Sequence, residues 1–416
     1  MMRVLRGRRA EAAVCALEQR GAAGLARVEK QVARIVAEVR RNKDRALLRF
    51  AQKWDGLGKE QPLRVAEEEL EAAWQAVSDN FKQALNTAAA NIRKYCEWQR
   101  PQPWRNSVAP GIQTGQIVRP LASVGCYVPG GRHPLPSTVM MTVIPAQAAG
   151  VSDIRIASPR PAPETLATAF FLGVREFYRV GGAQAIAALA HGTESIPKVD
   201  KIVGPGNLFV TAAKKLVAFD CAIDFLAGPT EAAVLSERGN PRFIAADLVA
   251  QAEHDPDALA LFITSTATLA ESVAREIKTA SAANATARAA LKKGGVILVA
   301  GSHEQALEFA NRIAAEHITI SEEDLPHIAN AGSIFVGDYS PQAAGDYASG
   351  PNHVLPTGAL ARFRGGLGVQ DFVKTISVQQ LTRDGLDRIG HVVMTLAEAE
   401  GLKAHAESIR VRCSNA

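Results

Sequence analysis

Two pairs of residues in this chain are placed to share a chemical task. Gln251 and His254 lie three apart at the end of an apolar helical pattern over 243–257, in which Ile244, Leu248 and Gln251 recur at helical spacing. Residues so spaced share a helix face, so both side chains can close on one ion. Pro256 disfavours helical geometry at Asp255, which puts the pair at a helix end, where sites are usually exposed. A His at a helix C-terminus is also a plain favourable charge–dipole contact, so the pair reads both ways until more ligands are found. The second pair is Glu316 and His317. It follows a helical pattern (Ala306, Phe309, Ala310, Ile313) opened by a Ser302/Gln305 capping box, and it precedes the β-branched run Ile318-Thr319-Ile320. Adjacent side chains on a regular strand face opposite ways, so these two act together only where the backbone is irregular.

Further candidates lie in glycine- and proline-marked segments. Residues 345–357 mix turn formers with Asp346, Asn352 and His353 and show neither helical nor strand periodicity. Irregular segments of that kind carry sites more often than cores. Three β-rich runs each end in a glycine turn: Val124-Gly125-Cys126-Tyr127-Val128 before Pro129-Gly130-Gly131, Phe177-Tyr178-Arg179-Val180 before Gly181-Gly182-Ala183-Gln184, and Lys201-Ile202-Val203 before Gly204-Pro205-Gly206-Asn207. Strand, glycine turn and helix start in that order suggest parallel strands whose carboxyl ends line one crevice. Glycine there lets backbone N–H groups approach a ligand, and a helix N-terminus attracts phosphate. Simple tight turns would leave the same letters, and the usual GxGxxG dinucleotide fingerprint is absent.

The elements that must position these residues are coarser to read. Residues 1–100 are expected to be mostly helical, with Leu70, Trp74 and Val77 at helical spacing behind an acidic start at Glu67. Segments 258–264 and 295–300 read as apolar strands. A closing helical pattern (Leu386, Ile389, Val393, Leu396) reaches Glu400 and His405. With 416 residues, about three domains are expected. A hydrophobic content of 47% with only 6% aromatics fits an Ala/Val/Leu-rich α/β enzyme better than an all-β protein. No apolar run approaches membrane-spanning length. Arg3, Arg6, Arg8 and Arg9 are followed by Glu11 and Glu18 rather than by an apolar signal core, so a cytoplasmic protein is expected. The net charge of +5 is spread along the chain, and no basic run interleaves with aromatics, which speaks against a nucleic-acid partner. The five cysteines are scattered, odd in number and without a CxxC, which argues against both disulfides and a cysteine zinc site.

Taken in order, Val180-Gly-Gly-Ala-Gln-Ala-Ile-Ala-Ala-Leu189, Gly228-Pro-Thr-Glu231, Gln251-Ala-Glu-His254, Ala315-Glu-His317, Gly345-Asp346 with Asn352-His-Val-Leu-Pro356, and the late Glu400 and His405 closely resemble the histidinol dehydrogenase family. The resemblance runs from about residue 20 to the C-terminus. It implies an α/β fold with two Rossmann-like parallel-sheet domains, and small helical extensions at both ends. Residues 1–20 would be the N-terminal extension. Residues 21–126 and 230–367 would form a discontinuous α/β domain with the catalytic and zinc residues. Residues 127–229 would be an inserted NAD-binding domain, and 368–416 a helical extension reaching the partner subunit of a homodimer.

The resemblance also implies the chemistry. Members oxidise L-histidinol to L-histidine through an aldehyde in two NAD-dependent steps, with one zinc per site. Zinc would be held by Gln251, His254, Asp346 and His405, an acceptable donor set of imidazole and oxygen. Glu400, His353 and Thr230 would complete the pocket for L-histidinol, and Tyr127, Gln184 and Asn207 would contact NAD. His317 would take the hydroxyl proton in the first oxidation, and Glu316 would deprotonate the water that hydrates the aldehyde. Two departures stand out. Thr230 occupies a position where the family usually has Ser, and the stretch from Arg132 to Pro136, including His133, differs from the commoner pattern. The alternative is a related zinc- and NAD-dependent dehydrogenase acting on another small alcohol.

Overall fold

A computed structural model describes residues 2–21, 24–130 and 134–413. His133 lies outside the described residues. In chain order the strands are β1 (Arg3–Arg6), β2 (Trp104–Ala109), β3 (Ile112–Pro120), β4 (Ser123–Tyr127), β5 (Asp153–Ala157), β6 (Glu176–Tyr178), β7 (Lys201–Val203) and β8 (Ala222–Ile223). They continue with β9 (Glu231–Leu235), β10 (Leu259–Thr264), β11 (Val296–Val299), β12 (His317–Ile320), β13 (Ser333–Val336) and β14 (Val373–Leu381). One parallel sheet runs β6-β5-β4-β7-β8 and a second runs β1-β11-β10-β9-β12-β13. The first has the strand order of a doubly wound nucleotide-binding sheet, with its switch point between β4 and β7.

The inner strands of each parallel sheet are buried on both faces, as parallel strands flanked by helices must be. Helix Leu25–Phe50 shows why it takes part. Val32, Ile35, Val36 and Val39 form one buried stripe, packed with Tyr178, Ala183 and Ile186 of the five-stranded unit. Helices Glu67–Ala76 and Asp79–Gln99 bury Leu70, Leu85, Ala89 and Ile92 against the other face of the same unit. Helix Glu67–Ala76 stops one residue before Val77, whose backbone is extended.

These contacts redraw the expected division of the chain. The helices between 25 and 99 belong with the five-stranded sheet rather than with the catalytic one, because their apolar stripes face it. The boundary expected after 126 falls inside β4, the central strand of that sheet. Residues 1–20 are not wholly helical, since β1 forms the edge of the six-stranded sheet beside β11. The final segment likewise contains β14, paired antiparallel with β3 and through it with β2. The four residues of β1 are too few to show a period, and β14 alternates weakly because most of it is exposed.

Candidate active site

The catalytic candidates gather at the amino ends of the central strands of the six-stranded sheet. Thr230 immediately precedes β9, and His317 opens β12, in register with Ala232 of β9. Helix His303–Ile313 is capped by Ser302 as expected and closes with Ala314 in the left-handed region at φ 50°. The chain then bends at Glu316 before the strand begins. That irregularity lets neighbouring residues work on one spot. Glu316 Oε2 accepts from Thr230 Oγ1 at 2.7 Å and from the Glu231 amide at 2.8 Å. It also lies 3.6 Å from His317 Nδ1. Thr230 has one hydroxyl proton, so its longer 3.4 Å approach to Gln251 Oε1 is the weaker claim on it.

Gln251 is buried in the last turn of helix Pro241–Ala252, whose Ile244 and Leu248 lie on the same inward face. Its Nε2 donates to Asp346 Oδ2 at 2.9 Å. Asp346 sits in a short helix, Gln342–Tyr347, so the start of the 345–357 stretch is helical and not irregular as expected. His254 lies in the exposed turn after Gln251, near enough for its charge to act on Asp346. His353 belongs to the same pocket. Its Nδ1 lies 2.7 Å from the Asp346 carbonyl oxygen, and its Nε2 lies 3.3 Å from Thr138 Oγ1. A carbonyl accepts only, so Nδ1 carries the proton and Nε2 is left to accept. Burial holds His353 below the usual histidine range, which keeps that tautomer neutral. Thr138 lies on helix Pro136–Ala149 of the five-stranded unit, so His353 joins the two sheets.

His317 is the most perturbed group here. Burial opposes a charge on its ring, but Glu316 and Asp346 outweigh burial and push its pKa up to about 10. Nε2 lies 3.3 Å from Asp346 Oδ1 but out of line, and it makes no hydrogen bond. A buried ring nitrogen without a partner is rare outside sites that bind something. Asp346 is lowered in turn: burial would raise it, and His317 more than reverses that.

The cofactor candidates gather at the carboxyl ends of the five-stranded sheet. Tyr127 ends β4, Gln184 lies in the first turn of helix Gly182–His191, and Asn207 caps helix Leu208–Val217. The expected cradle of free glycine amides is largely filled from within. The Gly181 amide donates to Asp55 Oδ2 at 3.0 Å, the Gly182 amide to the Tyr127 hydroxyl at 3.0 Å, and the Gly204 amide to Asp224 Oδ2 at 2.8 Å. Asn207 Oδ1 takes the amides of Phe209 and Val210. The glycines serve close approach instead. A Cβ on Gly204 would lie 2.1 Å from the Tyr127 carbonyl oxygen, and one on Gly181 would lie 2.4 Å from the Pro159 ring.

Several residues that shape these regions were missed from sequence. Arg20 makes a two-point contact with Glu231, Nε to Oε1 at 2.7 Å and Nη2 to Oε2 at 2.5 Å, and also donates to the Ile313 carbonyl. It thereby ties the start of β9 to the helix end that precedes Glu316. Lys214 and Asp224 form a buried pair at 2.6 Å behind Gly204. Asp55, Asp224 and Thr138 stand in no motif. Two expected pocket residues are elsewhere. Glu400 caps the exposed end of helix Arg383–Ala399, and His405 lies exposed on helix Lys403–Cys413. No hydrogen bond or ion pair links either to Thr230, Gln251, Glu316, His317, Asp346 or His353. Among the described residues no three His, Cys, Asp or Glu side chains are grouped to hold a metal. Nor is any described helix long and apolar enough to cross a membrane.

Known proteins resemble this chain along most of its length. The chain is 47% identical over 396 residues to a histidinol dehydrogenase of Methanothermobacter thermautotrophicus, covering 92% of each chain. It is 44% identical over 414 residues to one of Syntrophotalea carbinolica, covering 96% of each. The crystal structure of histidinol dehydrogenase from Elizabethkingia anophelis superposes with a TM-score of 0.93 at 35% identity, over 99% of this chain and 98% of that one. The family model for histidinol dehydrogenase matches residues 18–413, and the chain belongs to that family, the oxidoreductases that act on histidinol in histidine biosynthesis.

Proposed function

We propose that the chain carries out the four-electron oxidation of L-histidinol to L-histidine through L-histidinal, in the cytoplasm, with zinc and NAD. The observation that carries this reading is the meeting of Thr230, Gln251, Glu316, His317, Asp346 and His353 in one network of polar contacts. For zinc, the donor set fits in chemistry. Gln251 and Asp346 are already in contact, and His254 is close by. The set of one chain is incomplete, and His405 from a second copy would close it. For NAD, Tyr127 ends one of the two strands that flank the switch point of a sheet with nucleotide-binding strand order, Asn207 follows the other, and Gln184 sits two residues from Gly182, which Tyr127 holds.

When bound, zinc would grip the imidazole and amine of the substrate, and NAD would receive the hydride of each oxidation. The chain's own groups handle the protons. His317 takes the hydroxyl proton of the alcohol. For that it must be neutral, and the present elevation of its pKa comes largely from Glu316 and Asp346. Asp346 would be among the residues holding the cation, whose charge would offset the Asp346 share of that elevation and favour the neutral ring that a general base needs, with the larger Glu316 share remaining. Glu316 takes the proton of the water that adds to the aldehyde. Its Oε2 is held by Thr230 and the Glu231 amide, which leaves Oε1 for that water. His353, neutral and fixed between Asp346 and Thr138, orients the substrate.

The test is product counting with purified protein. Two NADH per L-histidinol consumed, with little free aldehyde, is the expected result. One NADH per histidinol with aldehyde accumulating excludes the two-step reading. Turnover of other small alcohols without turnover of histidinol favours the related-dehydrogenase alternative.

A further inference from the structure

Asp55 lies far from the reacting groups, yet it touches the cofactor crevice from behind. It ends a short π-helical turn, Ala51–Asp55, and is buried at 7% exposure. Such turns are rare and tend to occur at functional sites. One oxygen, Oδ2, takes both the Gly181 amide and Gln184 Nε2, each at 3.0 Å. Because that oxygen only accepts, Gln184 must turn its NH2 toward Asp55. Its Oε1 then accepts from no described residue. On the other side of Gly182, the Tyr127 oxygen accepts the Gly182 amide at 3.0 Å, which leaves the Tyr127 O–H proton to be donated. Both groups lie against Gly182, where an added Cβ would come within 2.9 Å of Gln184 Oε1.

We infer that Asp55 is a positioning residue that fixes which way round Gln184 presents its amide, so that the crevice offers a Gln184 acceptor beside a Tyr127 donor to a group of the cofactor that both donates and accepts. A ribose hydroxyl and a primary carboxamide have that chemistry. The inference rests on the NAD reading above.

Binding measured by calorimetry with NAD and with ADP-ribose, on protein whose melting temperature is recorded, tests it without turnover. Asp55→Ala frees the Gln184 amide to rotate and weakens NAD about tenfold, the cost of one misdirected buried hydrogen bond. Asp55→Asn, which keeps a carbonyl oxygen in place, binds as the wild type does. Gln184→Met leaves no amide for Asp55 to orient and also loses affinity. Asp55→Ala added to that background costs nothing more, a non-additivity that a merely structural role would not give. If Asp55→Ala does not fold, Asp55→Ser, too short to hold the Gln184 amide, takes its place in both backgrounds. A loss seen with both titrants places the recognised group in the ADP-ribose part, and a loss with NAD alone places it at the carboxamide. Wild-type affinity in the folded Asp55 variant, or an equal further loss when it is added to Gln184→Met, overturns the inference alone. Absence of NAD binding by the wild type overturns the cofactor reading together with it.

Discussion

The two sheets hold their ligand-facing residues at opposite ends. In the five-stranded sheet these residues stand at the carboxyl ends of β4, β6 and β7, where helix N-termini and the switch point usually place a nucleotide. In the six-stranded sheet they stand at the amino ends of β9 and β12. The polar groups differ as well. Around the crevice, Asp55, Tyr127, Asp224 and Asn207 satisfy the loop amides from within one chain. In the catalytic cluster the His317 ring nitrogen is orphaned, and Glu400 and His405 are absent from the pocket. A site whose loop amides are already paired holds its remaining donors and acceptors in place before its ligand arrives. A site with an orphan group depends on something still to come.

The comparison should break most sharply at the proposed zinc. Removing zinc with a chelator is expected to abolish both oxidations while leaving the melting temperature and helical content near their starting values. The cores around the two sheets do not include the proposed ligands, unlike those of a zinc finger. Asp346→Ala should lower zinc content in metal analysis and leave NAD affinity untouched, since Asp346 lies in the other region. Full zinc occupancy in Asp346→Ala, or loss of NAD binding with it, would mean that the two regions are not separate in the way their geometry suggests.

A smaller effect separates the groups within the cluster. His317→Asn is expected to slow oxidation of histidinol on the order of 10²-fold or more, the usual cost of losing a general base. Glu316→Gln should keep alcohol oxidation better than oxidation of supplied aldehyde, because only the second step needs an activated water. Turnover of both substrates by both variants checks this. Equal losses throughout would show that the pair, joined through Thr230 and the Glu231 amide, acts as one structural unit instead.

How much of this was legible in the letters differs between the same two regions. Strand, glycine turn and helix start gave β4, β6 and β7 because backbone geometry at a tight turn restricts residue type strongly. The strand between them, β5, carries Arg155 at its centre and was not marked by any glycine turn. The amide partners Asp55 and Asp224 were invisible, since a buried carboxylate reaching 126 or 20 residues along the chain leaves no local pattern. In the catalytic region, helix periodicity placed Gln251 on a buried face, and the need for an irregular backbone before His317 was met by the left-handed Ala314. That Glu316 and His317 share one site, with His317 beside Asp346, could be read only from the family resemblance, because strand spacing by itself argues against neighbours acting together.

The faintest signal expected is also the one that completes the contrast, because it asks whether the catalytic region is open for want of a second copy. Glu400 and His405 are carried on a C-terminal arm whose helices leave Val392, Leu396, Leu402 and Val411 exposed, and that arm extends from the small antiparallel sheet rather than from either core. Exposed apolar residues in such number on one arm favour a partner surface. Mixing His405→Ala protein with Glu316→Ala protein, under conditions that exchange subunits, tests this. In a hybrid dimer one shared site would combine Glu316 of the first chain with His405 of the second, both intact, while the other site would carry both lesions. Random exchange makes about half the dimers hybrids, each with one working site in two, so roughly a quarter of wild-type activity should return if sites are independent. Should subunits demonstrably exchange and no activity appear, His405 serves its own chain. The catalytic region would then have to close by a movement of the arm, and the contrast with the self-contained crevice would be one of motion rather than of assembly.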